Sequence, residues 1–151
     1  VYKEKVWKTS EHAIMWSKAK LFGDEVFARK IEFCQTPFQA KRYGRMVRNF
    51  KEKLWRFWCN NNVPLIIQEK FGQNEVLKTW LLNKTKNARL AEIAKENSLG
   101  QVVYKDCLWG IGIGVSHPDI VNPQTWSLYG KNLLGHYTEL AREMLNNNNN
   151  I

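Results

Sequence analysis

The chain has 151 residues, 44% hydrophobic and 25% charged, with a formal net charge of +9. That balance excludes a disordered or fibrous chain, and no run approaches the ~18 apolar residues of a membrane span. The positive charge points to polyanions, nucleic acid or phosphate-bearing ligands, without choosing between them.

In chain order, residues 1–8 read as an extended lead-in or the remnant of a hairpin. The chain starts at Val1 rather than Met, so an N-terminal piece is expected to precede it. Residues 10–22 read as a helix, with Thr9 and Ser10 as good N-caps. At about 100° per residue, Met15, Trp16, Ala19 and Phe22 share one side of it. Glu11 and His12 fall on that same side, while Ile14 and Leu21 lie elsewhere. The stripe is imperfect, and a carboxylate sits on the face expected to be buried.

Gly23-Asp24 marks a break before a second helix over residues 25–33. Thr36-Pro37 opens a third, through Arg45, with Pro at the first helical position. Residues 51–71 are helical in pattern, but three asparagines (60–62) and Pro64 interrupt them. A kink or two shorter helices is the expectation, since Pro costs ~3 kcal/mol in a helix interior. Residues 74–83 form another helix. Residues 89–94 and 101–106 read as two short strands around the Asn97-Ser98-Leu99-Gly100 turn. A glycine-rich loop covers residues 109–114, and Pro118 and Pro123 keep residues 116–125 irregular. The last helix runs from Asn132. It has Leu133, Leu134, Tyr137, Leu140, Ala141 and Met144 on one broad face, and His136, Glu139, Arg142 and Glu143 opposite. One domain over residues 1–145 is expected, then a disordered polar tail at 146–151.

Aromatic residues make up 13%, with seven Trp, which suits flat ligand surfaces as well as core. Cys34, Cys59 and Cys107 have no C-x-x-C or zinc spacing, as in a reducing cytosol. With no visible signal peptide or membrane span, a cytoplasmic location is expected. His12, His117 and His136 form no H-x-x-x-H pattern, so neither a metal nor a cofactor is implied.

Three constellations stand out. In "WGIGIG" the glycines 110, 112 and 114 are spaced G-x-G-x-G. That is not a dinucleotide-binding fingerprint, and the upstream pattern is not βαβ. Either a tight turn or the close approach of backbone to a ligand accounts for them. "KRYGRMVRNFKEKLWR" holds Lys41, Arg42, Arg45, Arg48, Lys51, Lys53 and Arg56, with Trp55 near its end. It is a nucleic-acid or phosphate surface or a solvated basic face. "YGKNLLG" brings Lys131 and Asn132 to a helix start, where free N–H groups suit an anion, or simply to a loop–helix junction. Glu11 in a first helical turn is also stabilised by the helix dipole alone.

Together the blocks resemble the YbiA-like, or NADAR, family. They are "TSEHAIMWSKA" (9–19), "TPFQAKRYGR" (36–45), Trp55, "EKFGQNEVLKTWLL" (69–82), "WGIGIG" (109–114) and "GKNLLGHYTELARE" (130–143), in family order and near-family spacing. The resemblance implies one helix-rich α+β domain with a small sheet. It also implies a metal-independent N-glycosidase acting at a ribose C1–N bond. The implied substrates are riboflavin-pathway intermediates, NAD or ADP-ribose-type nucleotides, or ADP-ribosylated guanine in nucleic acid.

Residue by residue, Glu11 matches the family's essential acid and Trp55 its functional Trp. Substrate contacts fall to His12, Arg42 and Arg45, to Trp109, Gly110 and Gly112, and to Lys131 and Asn132. Ile111 stands where one family branch carries an acid, so Asp119 in "SHPDIVNPQTW" becomes the candidate second acid. Cys59 and Pro64 interrupt a helix that is usually more regular. The chain begins after the place of the family's upstream F-S-N-F-type segment, and were that segment truly missing, part of the ligand pocket would be open and activity in doubt. The implied partners are a nucleotide-like small molecule or ADP-ribosylated nucleic acid, with DNA or RNA held by the basic surface. The alternative is a binding module for nucleic acid or ADP-ribose without turnover.

Overall fold

The computed structural model describes residues 1–148. Among the described residues, six α-helices and a two-stranded antiparallel sheet place the chain in the α+β class. It divides into two compact units, Val1–Lys78 and Thr79–Ile151.

The first unit is helical. Tyr2 and Lys5 pair in a short bridge ahead of it, the hairpin form of the lead-in. Helix α1 is Ser10–Leu21, and the Thr9 side chain accepts from the His12 N–H at its start. Helix α2 is Glu25–Phe33, capped by Asp24. Helix α3 is Pro37–Arg45, opened by a full Thr36/Gln39 capping box with Pro in the first turn. Helix α4 is Glu52–Gly72. Helix α1 packs against all three others. That explains the imperfect stripe, because His12, Ala13, Ile14, Met15, Ser17 and Ala19 are all buried and point several ways. A helix walled on several sides needs no single apolar face. At Gly44 helix α3 comes so close that an added Cβ would lie 2.1 Å from Met15 Sδ.

Helix α4 is one element of 21 residues with Pro64 inside it, so the two-helix alternative does not form. Cys59, Val63, Pro64, Ile66 and Ile67 are buried. Each large apolar side chain contributes ~1.5–3 kcal/mol on burial, enough together to outweigh the proline cost. The asparagines also serve the helix. Asn61 and Asn62 Nδ2 donate to the Phe57 and Trp58 carbonyls at 2.7 and 2.9 Å.

Helix α5, Glu75–Thr79, runs on into a π-helical turn, Trp80–Lys84. Beyond it, strands β1 (Lys95–Glu96) and β2 (Val102–Tyr104) pair around the expected turn. The first strand therefore forms later than the pattern suggests. Residues 89–94 instead form no regular element and are tied to the glycine-rich loop, with Ala94 N–H to Ile113 O and Ile111 N–H to Glu92 O, both 2.9 Å. Gly112, at φ +74°, lies between the two and breaks any regular ladder. Ile111, Ile113 and Trp126 form a small core, with Ala91, Ile120 and Tyr129 against it. Two 3₁₀ turns, Pro118–Val121 and Trp126–Leu128, occupy the irregular stretch.

Helix α6 is Leu133–Asn148. Arg142, expected on its polar face, is buried. Its guanidinium donates to the Thr85 and Ala88 carbonyls, just beyond the π-helical turn. Residues 146–148 are helical, against the expected tail, since the amphipathic helix extends through them. The rest of that tail, 149–151, lies outside the described residues.

Candidate functional site

In the helical unit, Glu11 occupies the first turn of α1, where the dipole favours a carboxylate. Its Oε1 is shut off from solvent. His12 beside it is only 1% exposed. Its Nδ1 meets Thr9 Oγ1 at 2.8 Å and its Nε2 meets the Cys34 carbonyl at 3.3 Å. Both nitrogens are engaged within the fold, and burial holds the ring's pKa below its ordinary value. The Thr9–His12–Cys34 chain ties the start of α1 to the end of α2.

Trp55 is 9% exposed and stacks on Trp58, with centroids 5.0 Å apart and planes within 6°. Arg42 and Arg45 lie exposed on the last turn of α3. Sequence reasoning passed over Lys18, seven residues from Glu11 and thus on the same side of α1. Its ammonium donates to the Gly44 carbonyl at 2.9 Å. It sits 4.3 Å from the Phe50 ring and 5.7 Å from that of Trp55. Burial lowers its pKa, and Arg45 adds to that. The seven-residue spacing was the available signal.

Asp24 is a structural acid, 2% exposed. Arg48 donates to it from its backbone N–H and from Nε, both at 2.9 Å, and from Nη2 at 2.8 Å. The Arg48 side chain holds this carboxyl well below the usual carboxylate range. Arg48 is thereby spoken for, and the basic segment is not uniformly available to a ligand.

In the second unit, the glycine-rich loop is packed against its own chain. A Cβ on Gly110 would lie 2.5 Å from the Glu92 carbonyl, and one on Gly112 would lie 2.9 Å from the Tyr129 carbonyl. Backbone against backbone, rather than a ligand, accounts for both glycines. Trp109 meets Tyr137 edge to face at 6.0 Å.

The free N–H groups expected at the α6 start are not free. Lys131, Asn132, Leu133 and Leu134 N–H groups donate to the carbonyls of Cys107, Gly110, Leu108 and Trp109 at 2.8–3.2 Å. An anion has no place among them, because the loop carbonyls already satisfy the helix end. Asn132 is buried at φ +50°. Its Nδ2 donates to the Leu90 carbonyl and its Oδ1 accepts from the Glu92 N–H, at 2.7 and 3.2 Å. Only the Lys131 side chain stays exposed, at a cleft of about 430 Å³ with Arg89 and His136.

Asp119 lies in the first 3₁₀ turn. Its N–H donates to His117 Nδ1 at 3.2 Å, and the Tyr129 hydroxyl donates to its Oδ2. That bond is the leading cause raising the Tyr129 pKa. Neighbouring His117 and Pro118 line a cleft of about 580 Å³, with Glu96, Tyr104 and Ser116. Tyr129 escaped sequence reasoning because its partner is ten residues away across two turns, which no periodicity marks. Among the described residues no group of three or more His, Cys, Asp or Glu is placed to hold a metal ion.

Residues 1–146 match the family model described as the NADAR domain. The chain is 33% identical over 135 residues to a protein of the Acanthamoeba polyphaga mimivirus named N-glycosidase R617, covering 89% of this chain and 72% of that protein. It is 30% identical over 148 residues to the Caenorhabditis elegans Protein irg-1, covering 95% of this chain and 64% of the relative. The chain thus spans about two thirds of the lengths of these relatives. No helix among the described residues is long and apolar enough to cross a membrane. With the match running from the α1 acid through the glycine-rich loop and into α6, the chain belongs to the NADAR domain family.

Proposed function

We propose that this protein is a metal-independent N-glycosidase that hydrolyses a base–ribose C1–N bond. One observation carries the reading. Glu11 sits in the dipole-stabilised first turn of α1 with one oxygen withdrawn from solvent, in a chain similar to a protein named N-glycosidase. Breaking the C1–N bond builds oxocarbenium character on the ribose. A carboxylate beside it stabilises that charge or takes a proton from the attacking water. The water oxygen joins C1 and the departing base keeps the bonding electron pair; a neutral riboside's nitrogen gains a proton as it leaves, whereas nicotinamide leaves NAD as the neutral base and the water's proton passes to solvent.

Within the second unit, Asp119, which accepts from the Tyr129 hydroxyl, is the candidate second acid. Trp55 and Trp109 offer faces for a planar group. Arg42, Arg45 and Lys131 contact phosphates. His12 acts through Glu11's helix as a positioning residue. The candidate substrates are ADP-ribosylated guanine in nucleic acid, NAD or ADP-ribose-type nucleotides, and riboflavin-pathway intermediates. Incubation with all three classes, read by mass spectrometry, tests the proposal. Release of a free base from one class supports it, and intact substrate in every class overturns it.

The +9 charge and the exposed Arg42, Arg45, Lys51 and Lys53 favour a second reading, a nucleic-acid or ADP-ribose binding module without turnover. Binding to DNA that weakens steeply with salt, with no product from any substrate, distinguishes it.

A further inference from the structure

The two strands of the small sheet have different surroundings. Strand β1 is tied down by the glycine-rich loop and the residues after it. The Ala94 N–H just before it donates to Ile113 O, and the Glu96 carboxylate accepts from the Ser116 N–H and Oγ at 3.2 and 2.7 Å. Strand β2 has no second strand beside it among the described residues. Its Val102, Val103 and Tyr104 are all exposed, Val103 at 57%. The register slips between Lys95 and Glu96, so Val103 has no opposite number on β1. An open row of strand formers is a template for another chain.

The cleft of about 580 Å³ adjoins this strand, walled by residues 102–105 on one side and 112–114 and 116–118 on the other. Its polar groups are donors. Lys105 is exposed there. His117 Nδ1 accepts from the Asp119 N–H, so the neutral ring carries its proton on Nε2, as a donor. Glu96, the acid in the lining, is already engaged by Ser116. We propose that β2 and this cleft dock an extended acidic segment of a partner protein, added to the sheet as a third strand. Backbone hydrogen bonds to β2 would align the segment. Every second side chain would then turn to the cleft side, where carboxylates meet Lys105 and His117. Charge and shape choose this occupant. A second copy of the chain carries the same net charge of +9 and is repelled, whereas an acidic segment is drawn in. The slipped register twists the edge and β2 is only three residues long, which opposes a long flat contact between sheets and admits a short strand. Nucleic acid would meet the charge but leave the row of backbone groups unused. The inference goes beyond the glycosidase reading, rests on no side chain assigned there, and is measured without turnover.

The probe is a fluorescently labelled peptide of about eight residues, alternating valine with glutamate. Two relatives are compared with it. One carries lysine in place of glutamate, and the other has every backbone nitrogen methylated and so cannot donate to a strand. Each is titrated into the whole chain at low and at about physiological salt. The glutamate peptide should bind about tenfold or more tighter than either relative, with the gap to the lysine peptide narrowing as salt rises. Hydrogen exchange at residues 102–105 should slow when it binds. Lys105→Glu should lose about fivefold or more for the glutamate peptide and shift preference toward the lysine peptide. Val103→Pro removes an N–H from the edge and should lose binding as well.

Thermal melts show which variants are folded, and the three peptides decide on wild type if neither variant folds. No binding of the glutamate peptide, equal binding of the methylated one, or unchanged exchange at residues 102–105 overturns the inference. So does undiminished binding by folded Lys105→Glu or Val103→Pro. Two further outcomes assign the face to another occupant and overturn it equally. One is a dimer in analytical ultracentrifugation that folded Val103→Pro abolishes. The other is a single-stranded oligodeoxynucleotide that displaces the peptide and needs Lys105 but not Val103.

Discussion

The two units of the chain use their motif residues differently. In the helical unit, motif side chains project from regular elements with well-made caps. Glu11 and Lys18 share a side of α1, and Arg42 and Arg45 share the last turn of α3. In the second unit the motif residues mostly fasten the backbone. Gly110 and Gly112 admit neighbouring carbonyls, and Asn132 ties α6 to residues 90 and 92. A family motif is therefore no guide by itself to which residues do chemistry. Where regular helices supply the scaffold, motif positions are released for side-chain work. Where loops must hold one another, the motif is consumed by backbone hydrogen bonds.

The sharpest test of this contrast is Glu11→Gln, which keeps size and removes charge. Single-turnover cleavage should fall ~100-fold or more. The thermal melt should register no more than about 0.3–1 kcal/mol, the worth of a lost dipole contact. Near-normal turnover would put Glu11 among the fastening residues and leave Asp119 as the acid to examine next.

The opposite signature is expected in the second unit. Asn132→Ala strips the partners from the Glu92 N–H and the Leu90 carbonyl and should cost about 1–3 kcal/mol in denaturant unfolding. KM of the remaining folded enzyme should hold. An unchanged melt with a raised KM would show that Asn132 touches substrate and would erase the distinction between the units.

Asp24 offers a pH test confined to the helical unit. Arg48 holds its carboxyl below the unfolded value, so its stabilisation is fully present above about pH 4. It is lost as pH falls through the folded value. Wild type should therefore lose stability on acidification in a way that Asp24→Asn does not. At neutral pH the variant should be weaker by about 1–3 kcal/mol, since hydrogen bonds to a charged group are lost. Parallel acid curves for the two proteins would show that the pair is not what secures the α2 start.

The smallest expected effect is at Trp55. Trp55→Phe keeps a ring and should alter substrate affinity only a few-fold with little change in melting. Trp55→Ala should lose binding or turnover out of proportion to stability. Parallel falls of melt and activity in both variants would place Trp55 with the core instead.

The amino-acid order alone determined the first three helices, their caps and the break at Asp24. These rest on local hydrogen bonds between residues three or four apart, which local sequence specifies. It also brought Glu11 into view, as a carboxylate on the wrong side of an amphipathic pattern. Tertiary structure decided what depended on distant partners. Pro64 is carried inside one long helix because the burial around it outweighs its local cost. The strand begins at Lys95 because residues 89–94 bond to the glycine-rich loop instead. Arg142 turns inward because the carbonyls of Thr85 and Ala88 await it there. Lys18 and Tyr129 gain their meaning from Gly44, Trp55 and Asp119, whose placement no local pattern records, because long-range contacts are set by packing and not by period.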